Sequence, residues 1–162
     1  MLEILIKNGI YPDYEKKEMV KANIGIQDGK IAYIGQETPE AARVIEADGK
    51  VVSPGFIDIH MHEEDFVHEG KQFIIANMML EMGVTTAVGG NCGVQKQPLS
   101  IFKSVLNELG GSPVNYLILA GYNHFRTELG IGRYAHPSQA QMDELQAIMK
   151  RELAEGAYGI SF

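Results

Sequence analysis

SPGFIDIHMHEED, residues 53–65, marks the point at which the pattern of the sequence changes. Before this stretch the chain consists of short apolar runs separated by turn residues, and after it predicted strands alternate with predicted helices. Within the stretch, Phe56–Met61 predicts a strand that carries His60 and His62 near its end. Residues two apart on a strand project from the same face, so both imidazoles are expected to point in one direction.

Residues 1–53 are expected to form part of a small β-sandwich. Asp28-Gly29 is typical of a two-residue hairpin turn, and a second Asp-Gly pair stands at residues 48–49. The predicted strands are Leu2–Lys7, Ala22–Gln27, Lys30–Ile34, Arg43–Glu46 and Lys50–Ser53. A sheet this small cannot bury both of its faces well, so we expect it to need partners from elsewhere.

Residues 54–162 are expected to form an α/β fold with a parallel sheet of right-handed βαβ units. The predicted strands and helices are Phe56–Met61, Glu69–Met82, Val84–Val88, Pro98–Leu109, Val114–Ala120, Ser138–Gly156 and Ala157–Phe162. They amount to about half of a closed (β/α)8 barrel, which needs roughly 250 residues. The pattern therefore predicts the first half of a TIM-like barrel that ends in its fourth strand, as part of a longer catalytic unit.

The composition of the chain argues against several classes of partner and location. The 162 residues are 45% hydrophobic with a formal charge of −7, and the pI is near 5.2, which argues against nucleic acid or an anionic membrane surface as partner. Cys92 is the only cysteine, so an internal disulfide is impossible and a reducing compartment fits. No secretory signal and no apolar run of about 20 residues is present, so we expect a cytoplasmic globular protein.

The histidine pair is a candidate metal site. His60 and His62 stand at the carboxyl end of the first predicted barrel strand, where parallel α/β folds place their sites. Nearby carboxylates could orient the rings or add ligands, namely Asp58, Glu63, Glu64 and Asp65. The alternative is a pair of half-buried histidines hydrogen-bonded to loop backbone, and spacing alone does not decide between the two.

VGGNCGV, residues 88–94, follows the second predicted barrel strand. Glycines on both sides of Asn91-Cys92 allow a sharp turn that would bring the thiol to the same end of the sheet as the histidines. Two imidazoles and a thiolate form a ligand set that suits Zn²⁺. The alternative is that Cys92 is a small core hydrophobe, which is the commoner fate of a lone cysteine.

PGFIDIHMH after a β-rich segment resembles the amidohydrolase superfamily of metal hydrolases with (β/α)8 barrels. GGNCG after the second strand and EGAYGIS at the fourth look like its D-aminoacylase branch, the N-acyl-D-amino-acid deacylases. The resemblance covers the whole chain but only the N-terminal portion of such an enzyme. Most other branches bridge two metals with a modified lysine from strand four, whereas this branch uses a cysteine from strand two.

The resemblance implies one or two zinc ions, with His60 and His62 as ligands and Cys92 as a ligand that can bridge them. It also implies histidines from strands five and six and an aspartate general base from strand eight, none of which lies within these residues. At strand three the family commonly reads Gly-His-x-x-x-Arg, but Tyr122 replaces the histidine here. A polar role at that strand has therefore moved to His124 or is absent.

Arg126 completes the strand-three motif and is a candidate ligand for a substrate carboxylate, together with His124. The alternative for Arg126 is a salt bridge within the loop, for example to Glu128. The activity implied is zinc-dependent hydrolysis of N-acyl-D-amino acids, and without the general base we expect the isolated chain to be inactive.

Two other functions stay open at this stage. A dihydroorotase-like or hydantoinase-like cyclic amidase fits the histidine pair, but Cys92 disfavours it because those sites usually rely on the strand-four lysine. A non-catalytic truncated fragment would expose unpaired strand edges, so it would self-associate or bind the missing half of the barrel.

Overall fold

The computed structural model describes residues 1–162, which form two compact units, Met1–Pro54 and Gly55–Phe162. The first unit consists of strands, and the second mixes strands with helices, so the chain as a whole is a mixed α/β protein. No helix is both long enough and apolar enough to span a lipid bilayer.

The first unit is a single sheet of four strands in the order β3-β2-β1-β4. The strands are β1 (Leu2–Asp13), β2 (Glu18–Gln27), β3 (Lys30–Gly35) and β4 (Ala41–Glu46). The predicted hairpin at Asp28-Gly29 joins β2 to β3, and both residues have positive φ, as a tight hairpin turn requires. The unit is thus one sheet layer, longer in β1 and β2 than the sequence predicts.

The segment Lys50–Ser53, predicted as a fifth strand, forms only one isolated bridge. Val51 pairs in parallel with Ile10 of β1, just as β4 pairs in parallel with the beginning of β1. The turn at Asp48-Gly49 therefore does not reverse the chain as a hairpin would. The turn lies between two segments that run along β1 in the same direction, so this Asp-Gly pair does not form a hairpin.

The second unit alternates short strands with helices. Its strands are β5 (Phe56–Asp58), β6 (Val84–Gly89), β7 (Asn115–Ile118), β8 (Ala120–Gly121) and β9 (Ile160–Ser161). Its helices are α1 (Ile75–Glu81), α2 (Leu99–Glu108), α3 (Tyr122–Glu128) and α4 (Gln139–Ala154). All strand pairs in this unit are parallel, in the orders β5-β6-β7 and β8-β9.

Only Leu119 separates β7 from β8, and backbone hydrogen bonds bridge the gap. Leu119 N donates to Gly89 O at 3.0 Å, and Ala120 N donates to Gly159 O at 2.9 Å. The parallel neighbours therefore follow one another in chain order, with each strand beside the one before it. As a result, the segments that follow β5, β6 and β8 all emerge at the same edge of the sheet.

Two elements differ from the prediction because of local backbone chemistry. Helix α1 begins at Ile75 instead of near residue 69, since the chain turns at residues 66–69 and Gly70 has a φ of +91°. Helix α3 is not among the predicted elements, because its seven residues carry no apolar repeat long enough to indicate a helix. Phe125, which is 1% exposed, anchors α3 against α4.

Buried polar side chains connect the loops of the second unit. Glu152 of α4 is 1% exposed, and its Oε2 accepts from Gln95 Nε2 at 2.8 Å and from Leu99 N at 2.9 Å. Gln95 in turn accepts from Gly121 N. Because each of these groups is satisfied inside the protein, the network ties α4 to the start of α2 and to β8 without leaving a buried donor unpaired.

Helix α4 begins with the predicted capping box. Ser138 Oγ accepts from Gln141 N at 3.3 Å, and Gln141 Oε1 accepts from Ser138 N at 3.0 Å.

We expect Ser138→Ala to lower the free energy of unfolding by about 1 kcal/mol, because one N–H of the first turn loses its acceptor. Urea denaturation followed by circular dichroism measures this change. Ser138→Asp keeps a capping oxygen and should retain stability, and an equal loss in both variants would contradict the assignment.

Candidate metal centre

His60, His62 and Cys92 lie together at the edge of the sheet where β5 and β6 end. One side-chain ligand atom from each residue lies within 4.8 Å of the other two, and all three residues are exposed. Cys92 Sγ is 3.3 Å from His60 Nε2, and the two imidazole rings are edge-on with centroids 6.2 Å apart. We call these three residues the ligand cluster.

The two histidines follow β5 instead of lying within it. Asp58 ends the strand, since its Oδ1 accepts from His60 N at 2.9 Å and turns the backbone. Met61 N still donates to Val88 O at 3.1 Å, and the Met61 side chain is buried in the core against α1. The predicted alternation therefore continues beyond the strand: Met61 faces inward, and His60 and His62 face the open side.

Cys92 sits in a tight turn between β6 and α2. Its φ of +58° is left-handed, as are those of Gly90 (+77°) and Gly93 (+67°). A left-handed conformation at a residue with a Cβ costs roughly 1–2 kcal/mol, so surrounding contacts must stabilise the turn. Asn91 contributes by donating from Nδ2 to Val88 O at 2.6 Å and to Met61 O at 3.3 Å.

The four carboxylates near the histidines bind backbone N–H groups and not the imidazole rings. Glu63 accepts from Gly90 N and Lys96 N, each at 2.7 Å, and Glu64 accepts from Ala76 N at 2.8 Å. Burial raises the pKa of Glu64 above its ordinary value, although N–H groups at the start of α1 donate to it. The expectation that these groups orient the rings is thus not met by any hydrogen bond here.

Asp65 is the fourth of these carboxylates and belongs to the turn before α1. It accepts from His68 N at 3.0 Å and lies 2.9 Å from His68 Nδ1. Burial alone would raise the pKa of Asp65, but the hydrogen bonds from the His68 backbone and ring outweigh it and hold the pKa below its usual value. Asp65 and His68 therefore form a local turn outside the ligand cluster.

His124 and Arg126 lie on α3, directly after β8, and neither joins the ligand cluster. His124 Nε2 is 3.5 Å from Glu128 Oε1 without forming a well-aligned hydrogen bond, and its ring packs edge-on against Phe125. Arg126 donates to the carbonyl of Gly132 at 2.9 Å, so it holds the loop after α3 in place of the salt bridge to Glu128 considered from the sequence.

A cavity of about 310 Å³ adjoins the ligand cluster. It is lined by Cys92, Val94, Asn123, Arg126, Thr127, Ile131 and Arg133. Arg126 and Cys92 thus share one cavity, while sequence reasoning missed Arg133 because it stands in a loop without a recognisable motif. A larger cavity of about 700 Å³ lies in the first unit, but its lining is mostly apolar and aromatic and contains no comparable ligand set.

Two further residues that contact the Cys92 turn were not singled out from the sequence. Ser161 of β9 accepts at Oγ from Gly93 N at 3.0 Å and donates to Gly90 O. Asn123 Nδ2 donates to Cys92 O at 3.1 Å. Ser161 stands within EGAYGIS, the stretch on which the resemblance rests, but only the pairing of β9 with β8 brings it to the turn.

Gly90 and Gly110 offer a matched test of the packing behind Cys92. Their φ values are +77° and +78°, but a Cβ at Gly90 would lie 2.0 Å from Leu119 O, whereas a Cβ at Gly110 would meet open space. We expect Gly110→Ala to cost about 1–2 kcal/mol of unfolding free energy, and Gly90→Ala roughly 1–3 kcal/mol more. Chemical denaturation of both variants measures the difference. Equal losses would show that the close approach to Leu119 does not constrain the turn.

Comparison with known proteins gives consistent results, although no family model matches the chain. A D-aminoacylase from Alcaligenes xylosoxydans xylosoxydans is 25% identical over 182 aligned positions, which cover 98% of this chain and 37% of that protein. A crystal structure of D-aminoacylase, described as defining a novel subset of amidohydrolases, superposes with a TM-score of 0.82 at 25% identity and covers 99% of this chain.

A second solved structure adds a bound metal to the comparison. The N-acyl-D-glutamate deacylase from Bordetella bronchiseptica, complexed with zinc and a phosphonate inhibitor, superposes with a TM-score of 0.77 at 27% identity over 98% of this chain. The 162 residues span 38% of each of these two solved chains. Along nearly its whole length, the chain is therefore similar to D-aminoacylases and N-acyl-D-amino-acid deacylases, which are amidohydrolases.

Proposed function

We propose that these residues form part of a zinc-dependent amide hydrolase that acts on N-acyl-D-amino acids. The observation that carries this proposal is the convergence of His60, His62 and Cys92, whose ligand atoms lie within 4.8 Å of one another. The similarity to D-aminoacylase and to N-acyl-D-glutamate deacylase supports the choice of substrate class. His60, His62 and Cys92 are the proposed zinc ligands, for one or two ions.

The donor atoms of the ligand cluster, two imidazole nitrogens and a sulfur, suit zinc, and one of their separations fits a zinc site. Zn–N and Zn–S bonds of about 2.0–2.3 Å in a tetrahedron imply separations of roughly 3.3–3.8 Å between ligand atoms. The distance of 3.3 Å between Cys92 Sγ and His60 Nε2 falls in this range. Zinc bound here would supply Lewis-acid polarisation of an amide carbonyl and activation of the attacking water.

The chain's own residues would position the substrate beside this cluster. The cavity shared by Cys92, Arg126 and Arg133 is large enough for part of a small ligand, and a guanidinium group binds a carboxylate well. Arg126 keeps its hydrogen bond to Gly132 O while it lines this cavity, so its guanidinium is held in place and not free to swing. We propose Arg126 for binding the substrate carboxylate, with His124 as a weaker candidate on the same helix.

The cyclic amidase alternative is less well supported than the deacylase. In that alternative a lysine from strand four would bridge the metals, whereas Cys92 lies within the ligand cluster here. A cysteine within the ligand cluster favours the deacylase branch.

We propose that the second unit is the first half of a (β/α)8 barrel whose remaining strands pair with its open edges. Apolar side chains at or beside the two edge strands are largely exposed, at 63% for Ile57, 74% for Ile59 and 75% for Phe162. Exposed apolar strand edges of this kind pack against another segment of the protein or cause self-association. A general base for the hydrolysis is expected on the part of the barrel beyond these residues.

Zinc binding tests the proposed ligands directly. We expect the chain to bind zinc, and His60→Ala, His62→Ala and Cys92→Ser each to weaken the affinity by at least about 100-fold, because each removes one ligand of a small set. Calorimetric titration with zinc, with total metal measured by mass spectrometry, gives the affinity and the stoichiometry. His68→Ala and His136→Ala remove histidines outside the ligand cluster and should leave both unchanged. Unaltered zinc affinity in Cys92→Ser would return the thiol to a structural role.

Activity tests the proposed division of the catalytic groups. The 162 residues alone should hydrolyse N-acetyl-D-amino acids no faster than the His60→Ala/His62→Ala double variant, because the general base lies elsewhere in the proposal. Release of the free amino acid, followed by a coupled assay with zinc present, measures the rate. Turnover above that control would mean that a group within these residues acts as the base.

A further inference from the structure

Glu63 and Ser161 each form two hydrogen bonds with the backbone of the segment that carries Cys92, and we call residues 89–96 the Cys92 loop. Glu63 directly follows His62 along the chain and is 1% exposed. Its Oε2 accepts from Gly90 N and its Oε1 from Lys96 N, each at 2.7 Å. One carboxylate therefore binds the backbone near both ends of the loop.

No lysine or arginine forms an ion pair with Glu63. A buried polar group is unfavourable unless hydrogen bonds compensate for its lost hydration. Glu63 meets this requirement by using both of its oxygens to accept from backbone N–H groups of the Cys92 loop. An apolar side chain would fill the same space but could not hold them.

Ser161 holds the middle of the loop from the opposite side. It belongs to β9, and its hydroxyl accepts from Gly93 N at 3.0 Å and donates to Gly90 O. Cys92 lies between these two glycines, in a left-handed conformation that a free loop would relax. One hydroxyl therefore binds the backbone of Gly90 and of Gly93, on either side of Cys92. These two hydrogen bonds constrain the backbone conformation at Cys92.

We propose that Glu63 and Ser161 are positioning residues that keep Cys92 Sγ in metal-binding reach of His60 and His62. This inference rests on the proposed function and adds two residues to it. Neither side chain forms a hydrogen bond with a ligand atom of the cluster, and both act through the backbone of the Cys92 loop. Without them, the loop relaxes at Cys92 and the sulfur moves away from the imidazoles.

Two matched pairs of variants separate positioning from general stability. Glu63→Gln leaves one of the two loop N–H groups facing an amide donor, and Glu64→Gln changes a neighbouring buried carboxylate that accepts from Ala76 N of α1, outside the Cys92 loop. Ser161→Ala removes the hydroxyl from the loop, and Ser104→Ala removes one from the exposed surface of α2. Ser161→Ala keeps the inference testable if Glu63→Gln does not fold.

Cobalt(II) added to the full chain is the probe, because a thiolate bound to cobalt gives a sulfur-to-metal charge-transfer absorption. We expect Glu63→Gln to weaken cobalt binding by about 10–100-fold and Ser161→Ala by about 10-fold, each with a weaker charge-transfer band per bound ion. Glu64→Gln and Ser104→Ala should retain the affinity and the band, even where Glu64→Gln lowers the melting temperature. Unchanged cobalt affinity and spectrum in folded Glu63→Gln and Ser161→Ala would overturn the inference.

A metal-free measurement distinguishes failure of this inference from failure of the proposed function. If the unaltered chain binds no cobalt, the proposed function fails, but amide hydrogen exchange at Gly90, Gly93 and Lys96 still reports on the loop. Faster exchange of Gly90 and Lys96 in Glu63→Gln than in Glu64→Gln would support the holding role of Glu63. Equal exchange in the two variants would contradict it.

Discussion

A single buried carboxylate, Glu63, accepts hydrogen bonds from the backbone at Gly90 and at Lys96, and the position of the Cys92 sulfur depends on this pair of bonds. The loop between them contains three left-handed residues, one of which has a side chain. Such a conformation persists only where surrounding groups determine it. Glu63 provides this constraint and directly follows His62 along the chain. The position of the Cys92 loop is therefore linked to that of the histidine pair.

The parallel arrangement of the second unit explains why these groups meet. Because β5, β6 and β8 lie side by side in chain order, the segments after them reach the same edge of the sheet. His60 and His62 reach that edge after β5, and Cys92 reaches it after β6. Arg126 lies on α3, which follows β8. Ser161 of β9 also lies at that edge, and its hydroxyl forms a hydrogen bond with the backbone of the turn that carries Cys92.

Local chemistry was enough to predict the elements whose signals are complete within a few residues. The capping box at Ser138 and the hairpin at Asp28-Gly29 are examples, since each motif contains its own hydrogen-bonding partners. Local patterns are not sufficient where pairing with a distant strand decides the outcome. Asp48-Gly49 looks like a second hairpin turn, but pairing with β1 keeps the chain running in one direction, and no pattern within residues 43–53 contains that information.

For the candidate site, too, local sequence features predicted some properties and the tertiary structure decided others. Residue order alone indicated two histidines on one side of a strand end and a glycine-flanked cysteine after the next strand, because side-chain alternation and glycine freedom are local properties. The fold alone decided that the sulfur lies 3.3 Å from His60 Nε2, and that Glu63 turns away from the rings to bind the loop. Those outcomes depend on hydrogen bonds between residues about 30 or more positions apart, which form only when parallel strands pair.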